Sequence, residues 1–209
     1  MNSGDLYIKD LKFLDKGPFS FSVRRGECVG LSGRSGIGKT QLLRAVTDLI
    51  PHEGILSLGG KLCSSYPAPV WRSLVTMVFA DSSWWYDRVG DHFAEVAGDT
   101  FVETYFPKLG LERDMLQWQV RRLSTGERQR LALLRTLQRN PAVLLLDEPS
   151  SGLDGYHTDM LEVCIKGLRL EKNMSVIWVS HDPEQLKRVT MREMRMEENG
   201  LVELGHDPS

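Results

Sequence analysis

The sequence predicts an α/β fold in which helices flank a mainly parallel central sheet. Residues 143–146 and 176–179 are apolar throughout, as strands buried on both faces of a parallel sheet are. A glycine-rich turn at residues 33–38 separates a strand pattern from a helical pattern. The first 30 residues read as strands, which indicates an additional antiparallel β-layer at the N-terminus.

The N-terminal layer is predicted from alternation of side chains. Phe19, Phe21 and Val23 alternate with Ser20 and Ser22, so that one face of the strand is buried and the other is exposed. Residues 25–27 form a turn that leads into the apolar strand 28–31, directly before the glycine-rich loop.

A helix and a second structural region are predicted after this loop. Residues 42–50 carry apolar side chains at helical spacing, and the pattern stops at Pro51. Residues 54–60 resemble a short strand with a turn, and residues 91–139 are helical in character with breaks at Pro107 and Gly110. We therefore expect one domain, residues 1–209. Its core and β-layer comprise residues 1–80 and 138–209, and a helical lobe is inserted at about 81–137.

Composition excludes several classes of protein. The 209 residues include 26 Lys plus Arg and 28 Asp plus Glu, a net charge of −2, so the excess of positive charge typical of nucleic-acid binders is missing. The longest apolar run, residues 142–146, is far shorter than the roughly 20 residues of a membrane helix. Three widely spaced cysteines, Cys28, Cys63 and Cys164, indicate free thiols in a reducing compartment.

The glycine-rich loop matches the phosphate-binding pattern G-x-x-x-x-G-K-[ST]. Its residues are Gly33, Arg34, Ser35, Gly36, Ile37, Gly38, Lys39 and Thr40. The glycines allow backbone N–H groups to turn toward a triphosphate, and the N-terminus of the following helix adds partial positive charge. Lys39 is expected to bind the outer phosphates, and the Thr40 hydroxyl is expected to bind Mg²⁺. The loop therefore predicts nucleotide binding.

Two acidic residues follow the apolar strand 143–146. Asp147 lies where a parallel strand meets the ligand crevice, so it is expected to hold the metal ion. Glu148 points in another direction and is a candidate general base for an attacking water. Further upstream, Ser124 is a typical N-cap for a helix with Leu131, Leu134 and Leu137 on one face.

These motifs together resemble the nucleotide-binding domain of ATP-binding cassette (ABC) ATPases over nearly the whole chain. The signature motif of that family, usually L-S-G-G-Q, resembles Leu123, Ser124, Thr125, Gly126 and Glu127. Walker B and its glutamate match residues 144–148, the S-A-L-D loop matches residues 151–154, and the switch histidine matches His181. The resemblance implies a P-loop NTPase fold of ABC type that binds ATP and Mg²⁺.

The resemblance also implies roles for single residues and a partner. Two cassettes, as a homodimer or with a second cassette as a heterodimer, would pack head to tail around two ATP molecules. Ser124, Thr125, Gly126 and Glu127 would act across this dimer, and Asp154 would bridge the two sites. His181 would contact the γ-phosphate as a catalytic switch with Glu148 and Lys39, and Gln41 would lie near the α-phosphate.

The chain departs from the family pattern at Ala80, and mildly at Thr125 and Glu127, where the signature usually has Gly and Gln. Ala80 stands where the family has a metal-contacting Gln. Whether the next residue, Asp81, replaces that Gln at the metal, or the loop keeps only a mechanical role, is left open.

The aromatic residue on which adenine stacks is expected to be Phe13, with Tyr7 as the second candidate. Trp84, Trp85 and Tyr86 are interpreted as part of the surface that receives a membrane subunit, although packing inside the lobe also explains them.

The resemblance predicts an ATP-hydrolysing subunit of a transporter. Its expected partners are membrane-spanning permease subunits, with no nucleic acid, and its expected location is cytoplasmic, on the inner face of the cell membrane. A soluble ABC ATPase acting on ribosomes or DNA, and a non-hydrolysing regulatory module, are alternatives. The transported substrate is not encoded here, because its binding site is expected in the permease.

Overall fold

The computed structural model describes residues 5–79, 82–93, 99–198 and 200–204. The strands within these residues are β1 Leu6–Phe13, β2 Lys16–Val23, β3 Cys28–Ser32, β4 Glu53–Leu58, β5 Lys61–Leu62, β6 Val75–Val78, β7 Val143–Asp147, β8 Ser175–Val179, β9 Arg192–Glu197 and β10 Gly200–Leu204. The α-helices are α1 Lys39–Val46, α2 Ala68–Leu74, α3 Asp99–Tyr105, α4 Thr125–Leu137, α5 Gly155–Lys172 and α6 Pro183–Val189.

The central sheet has six strands in the order β10-β9-β3-β8-β7-β6. Strands β9, β3, β8, β7 and β6 are parallel to their neighbours, and β10 is antiparallel to β9. The carboxyl ends of β3, β8 and β7 therefore lie side by side at one edge of the sheet. Ligands of open α/β sheets bind outside such carboxyl ends, which places the loops after these three strands together.

Both faces of the sheet are buried, which confirms the prediction from the apolar runs. Every residue of β7 and β8 is buried. Leu144, Leu146 and Trp178 pack into a hydrophobic cluster with α4, α5 and α6. Leu145 and Ile177 point to the opposite face and pack with α1 and the N-terminal strands. Alternate residues of one strand thus stabilise two separate cores.

The predicted antiparallel β-layer is present. It has four strands in the order β2-β1-β4-β5, and its buried residues, including Leu6, Ile8 and Phe19, cover the face of the central sheet that also carries α1. The helix after the loop is shorter than the apolar pattern predicts. It ends at Val46, because the chain turns at Asp48, whose backbone is left-handed with φ 57°.

The inserted lobe is less helical than the sequence suggests. Between residues 99 and 122 the chain forms one α-helix, α3, and short 3₁₀ segments at Pro107–Leu109, Arg113–Gln117 and Val120–Arg122. Phe106 and Leu109 of this segment are buried in the same cluster as Leu134 of α4 and Leu161 of α5. The lobe therefore shares the core of one face of the sheet.

Candidate functional site

The phosphate-binding loop has the backbone that its glycines make possible. Gly33, Gly36 and Gly38 have φ of 142°, 76° and 112°, values that residues with a Cβ rarely adopt. A Cβ on Gly33 would lie 2.7 Å from the carbonyl oxygen of Met196 on β9, so the loop can pass this close to β9 only with glycine at this position. The loop leads directly into α1, whose first N–H groups have no partners within the helix.

Lys39 lies inside the loop. Its ammonium donates to the carbonyl oxygens of Gly33 at 2.8 Å and Arg34 at 3.2 Å, and the residue is only 6% exposed. Burial lowers the pKa of Lys39, while the negative charges of Glu148 and Asp147 act in the opposite direction. Arg34 and Ser35 are exposed, Ile37 packs against the core, and Gln41 is half-buried in the first turn of α1.

Thr40 and Asp147 meet although they are far apart in the sequence. The Thr40 hydroxyl donates to Oδ2 of Asp147 at 2.8 Å, and Asp147 is 9% exposed at the end of β7. A hydroxyl next to one carboxylate suits Mg²⁺, which usually takes one or two carboxylates together with substrate phosphates and water. In the described part of the chain, no group of three or more His, Cys, Asp or Glu could hold a metal ion. The donor set therefore fits Mg²⁺ only when phosphate oxygens complete it.

Glu148 faces His181 across the same edge of the sheet. Oε1 of Glu148 lies 3.4 Å from Nε2 of His181, which lies two residues after the end of β8. Glu148 has a left-handed backbone with φ 50°, a conformation that is unfavourable for a residue with a Cβ. Burial raises the pKa of Glu148, whereas the charges of His181 and Lys39 lower it. An acceptor of this kind is suited to general-base chemistry.

The helix that begins after Ser124 is capped as predicted. The Ser124 hydroxyl accepts from the backbone N–H of Glu127 at 3.2 Å, and Glu127 Oε2 accepts from the backbone N–H of Ser124 at 2.7 Å. Glu127 thereby forms the second half of a capping box, which explains an acid at this position. Thr125 and Gly126 occupy the first turn of the helix, and no hydrogen bond or ion pair joins residues 124–127 to residues 33–40 of the same chain.

Asp154 caps the next helix. Its carboxylate accepts from the backbone N–H of His157 at 2.9 Å, and this hydrogen bond lowers the pKa of Asp154. The side chain is largely exposed, so it also remains accessible to a partner.

The prediction that adenine stacks on Phe13 is wrong. Phe13 is only 2% exposed, and its ring stacks on Phe19 with centroids 5.5 Å apart. Because the alternation of β1 directs this ring into the core, neither face is free for a base. Tyr7 lies near the opposite end of β1, paired with Ser22 and Ser57. Ala80 and Asp81 lie outside the described residues, so the role of Asp81 at the metal stays a prediction.

Two residues that lie beside the candidate site, Gln129 and Lys16, were not predicted from the sequence. Gln129 is 5% exposed, and its amide donates to the backbone carbonyl of Glu148 at 3.3 Å, which links α4 to the strained segment after β7. Its signal was a polar residue four positions before Leu133, on the buried face of α4. Lys16 lies against Gly38 of the loop, and no sequence motif marked it.

The three adjacent aromatic residues surround a histidine and an arginine. The rings of Trp84 and Trp85 lie 4.7 and 4.8 Å from that of His92, and the Arg135 guanidinium lies 4.7 and 4.5 Å from the same two indoles. His92 is buried, whereas Trp85 and Tyr86 are 60% and 52% exposed. The group is therefore anchored on one side and open to solvent on the other.

Comparison with known proteins identifies related sequences. The model of a family described as "ABC transporter" matches residues 17–151, which is more than half of the chain. The "Probable iron export ATP-binding protein FetA" of Escherichia coli is 31% identical over 85% of this chain and 81% of its own length. The "Putative ABC transporter ATP-binding protein YjkB" of Bacillus subtilis is 32% identical over 87% of this chain and 75% of its own length.

A solved structure supports the fold. A bacterial Atm1-family ABC exporter with ATP bound aligns with a TM-score of 0.84 over 96% of this chain, at 21% sequence identity. The chain spans only 38% of that exporter chain. None of the helices in the described ranges combines the length and apolar character that crossing a membrane requires.

Proposed function

The chain belongs to the ABC transporter family, whose ATP-binding proteins are ATPases, and we propose that it powers transport through separate membrane-spanning subunits. The observation that carries this proposal is the meeting of Thr40, Asp147, Glu148 and His181 beside the phosphate-binding loop. A triphosphate in that loop would have the metal site of Thr40 and Asp147 on one side and the general base Glu148 on the other.

The proposed roles follow from position and charge. Backbone N–H groups of the loop and Lys39 bind the phosphates and neutralise their charge. Thr40 and Asp147 hold Mg²⁺, which when bound neutralises charge on the phosphates. Glu148 accepts a proton from the attacking water, while His181 holds the carboxylate and contacts the γ-phosphate.

We further propose that a second cassette completes the site. Ser124 and Glu127 hydrogen-bond to each other at the N-terminus of α4, which leaves the N–H groups of Thr125 and Gly126 for an anion. Among the described residues, no hydrogen bond or ion pair links residues 124–127 to the phosphate-binding loop of their own chain. A partner's helix end placed over the γ-phosphate would supply these donors and exclude water. Asp154, which is exposed at the start of α5, would contact the partner at the same time.

The surface formed by Trp84, Trp85 and Tyr86 is the proposed docking site for the membrane subunit. Aromatic rings that are packed on one side and exposed on the other bury a large area when a partner binds, at a low cost in side-chain entropy, as in many interfaces. Attachment there would keep the protein at the inner face of the membrane. ATP-driven closure of two cassettes would then move the membrane subunits.

Asp147→Asn tests the proposed metal site. Loss of the carboxylate charge should raise the Mg²⁺ concentration needed for half-maximal ATPase activity by at least about tenfold, because Mg²⁺ depends on charged oxygen ligands. Thr40→Ser, which keeps the hydroxyl, is the matched control and should stay near wild type. Unchanged Mg²⁺ dependence in Asp147→Asn would contradict the assignment.

A further inference from the structure

The tip of the β1–β2 hairpin lies beside the phosphate-binding loop. Phe13, the last residue of β1, pairs with Lys16, the first residue of β2, so residues 14 and 15 form the turn. A Cβ on Gly38 would lie 2.9 Å from Cδ and 3.0 Å from Cε of Lys16. The stem of this lysine therefore passes directly over the last loop residue before α1, the place where a phosphate is expected.

Within the described part of the chain, Lys16 has no partner that would hold its charge away from the loop. No hydrogen bond or ion pair to the Lys16 ammonium occurs among the residues that the structure describes, although its stem is half-buried against Gly38. Lysine commonly packs its stem on the protein and keeps its ammonium in solvent. Here this arrangement puts a second, unpaired positive charge next to the loop that already holds Lys39.

The same hairpin tip presents no aromatic ring. Phe13 is turned into the core, and Tyr7 lies six residues before Phe13 at the far end of β1. Leu14 and Asp15 are both exposed at the turn, and Leu14, the apolar one, is 74% exposed and has a left-handed backbone with φ 52°. A bulky apolar residue held in a strained conformation in solvent is costly, and such strain is concentrated at functional sites.

We propose that Lys16 is a nucleotide-binding residue whose ammonium contacts the phosphate chain, and that Leu14 forms an aliphatic contact for the base. This inference rests on the proposed ATP site. Affinity then comes mainly from phosphates, which all nucleoside triphosphates share. A leucine cannot stack on a base as an aromatic ring does, and it offers no hydrogen bond to distinguish adenine from guanine. The site should bind ATP and GTP with similar affinity.

Calorimetric titration of the full chain in EDTA tests this inference, with ATP, GTP and inorganic tripolyphosphate as three separate probes. Lys16→Met keeps most of the stem and removes the charge. It should weaken binding of all three probes by about tenfold, the effect of one charge-assisted contact. Lys16→Arg should retain affinity because it keeps the charge. Lys9→Met, on the exposed part of the same hairpin, should bind as wild type does.

Each outcome has a separate meaning. Wild-type affinities for ATP and GTP within about fivefold of each other support a base contact without hydrogen bonds, as Leu14 would provide, since a site that hydrogen-bonds one base rejects others far more strongly. A hundredfold preference for ATP would overturn that part. Unchanged tripolyphosphate binding by Lys16→Met would overturn the role of Lys16. A wild-type protein that binds none of the probes would instead contradict the proposed function itself.

Discussion

Glu148 is subject to opposing influences on its protonation. Burial raises its pKa, and the positive charges of His181 and Lys39 lower it. A general base must be ionised to accept a proton, so activity should be lost as the pH falls through this raised pKa. The acidic limb of the pH–activity profile is therefore expected above the usual range of a glutamate.

His181→Ala should move that limb to higher pH. Removing the imidazole removes an interaction that lowers the pKa of Glu148, so a larger fraction of the carboxyl is protonated at a given pH. The measurement is the residual ATPase rate from acid to neutral pH, normalised to its plateau. His52→Ala, which removes a histidine paired with Asp48 away from the site, is the control. A limb that stays in place or moves to lower pH would contradict the coupling.

At the scale of residues, sequence reasoning succeeded where a motif fixes both spacing and chemistry. The prediction that Thr40 and Asp147 share a site agrees with the 2.8 Å hydrogen bond between them, although their role at a metal stays a proposal. It failed for Phe13, because aromatic character alone does not say which face of a strand a ring occupies. Lys16 was missed because its contact with Gly38 arises between two separate elements.

At the scale of elements, α4 depends on its first turn. The Ser124 and Glu127 side chains satisfy backbone N–H groups that a helix end otherwise leaves without partners. The sequence predicted Ser124 as the N-cap, and the structure confirms it. The sequence could not reveal the 3₁₀ character of residues 107–122, since the packing of Phe106 and Leu109 against α4 and α5 determines their conformation.

Ser124→Ala should destabilise the protein through this cap. Loss of a serine N-cap typically costs about 1 kcal/mol, so the free energy of unfolding from urea titration should fall by that amount. Glu127→Gln should cost less, because glutamine also serves in a capping box. Ser65→Ala, at an exposed serine outside the site, is the matched control. Equal stability of Ser124→Ala and Ser65→Ala would show that the cap is unimportant.

At the scale of the whole molecule, strand order assembles the site. Three loops that are distant in sequence follow β3, β7 and β8, which are consecutive in the sheet order β3-β8-β7. Buried parallel strands were predictable because their apolar runs are exposed on neither face. Which strands are neighbours depends on long-range packing, so hydrophobic periodicity in the sequence does not predict the strand order. In the proposed assembly, the exposed end of α4 reaches the phosphates that a second copy binds.

The central claim is that two copies enclose ATP between the loop of one and the Ser124 helix of the other. Glu148→Gln should retain ATP binding, lose about a hundredfold or more of its turnover, and accumulate in the closed form. Light scattering after size-exclusion chromatography measures the mass directly. We expect the mass to double with ATP, and to remain that of one chain when Ser124→Arg is added. A Glu148→Gln protein that binds ATP and yet keeps the mass of a single chain would contradict the account.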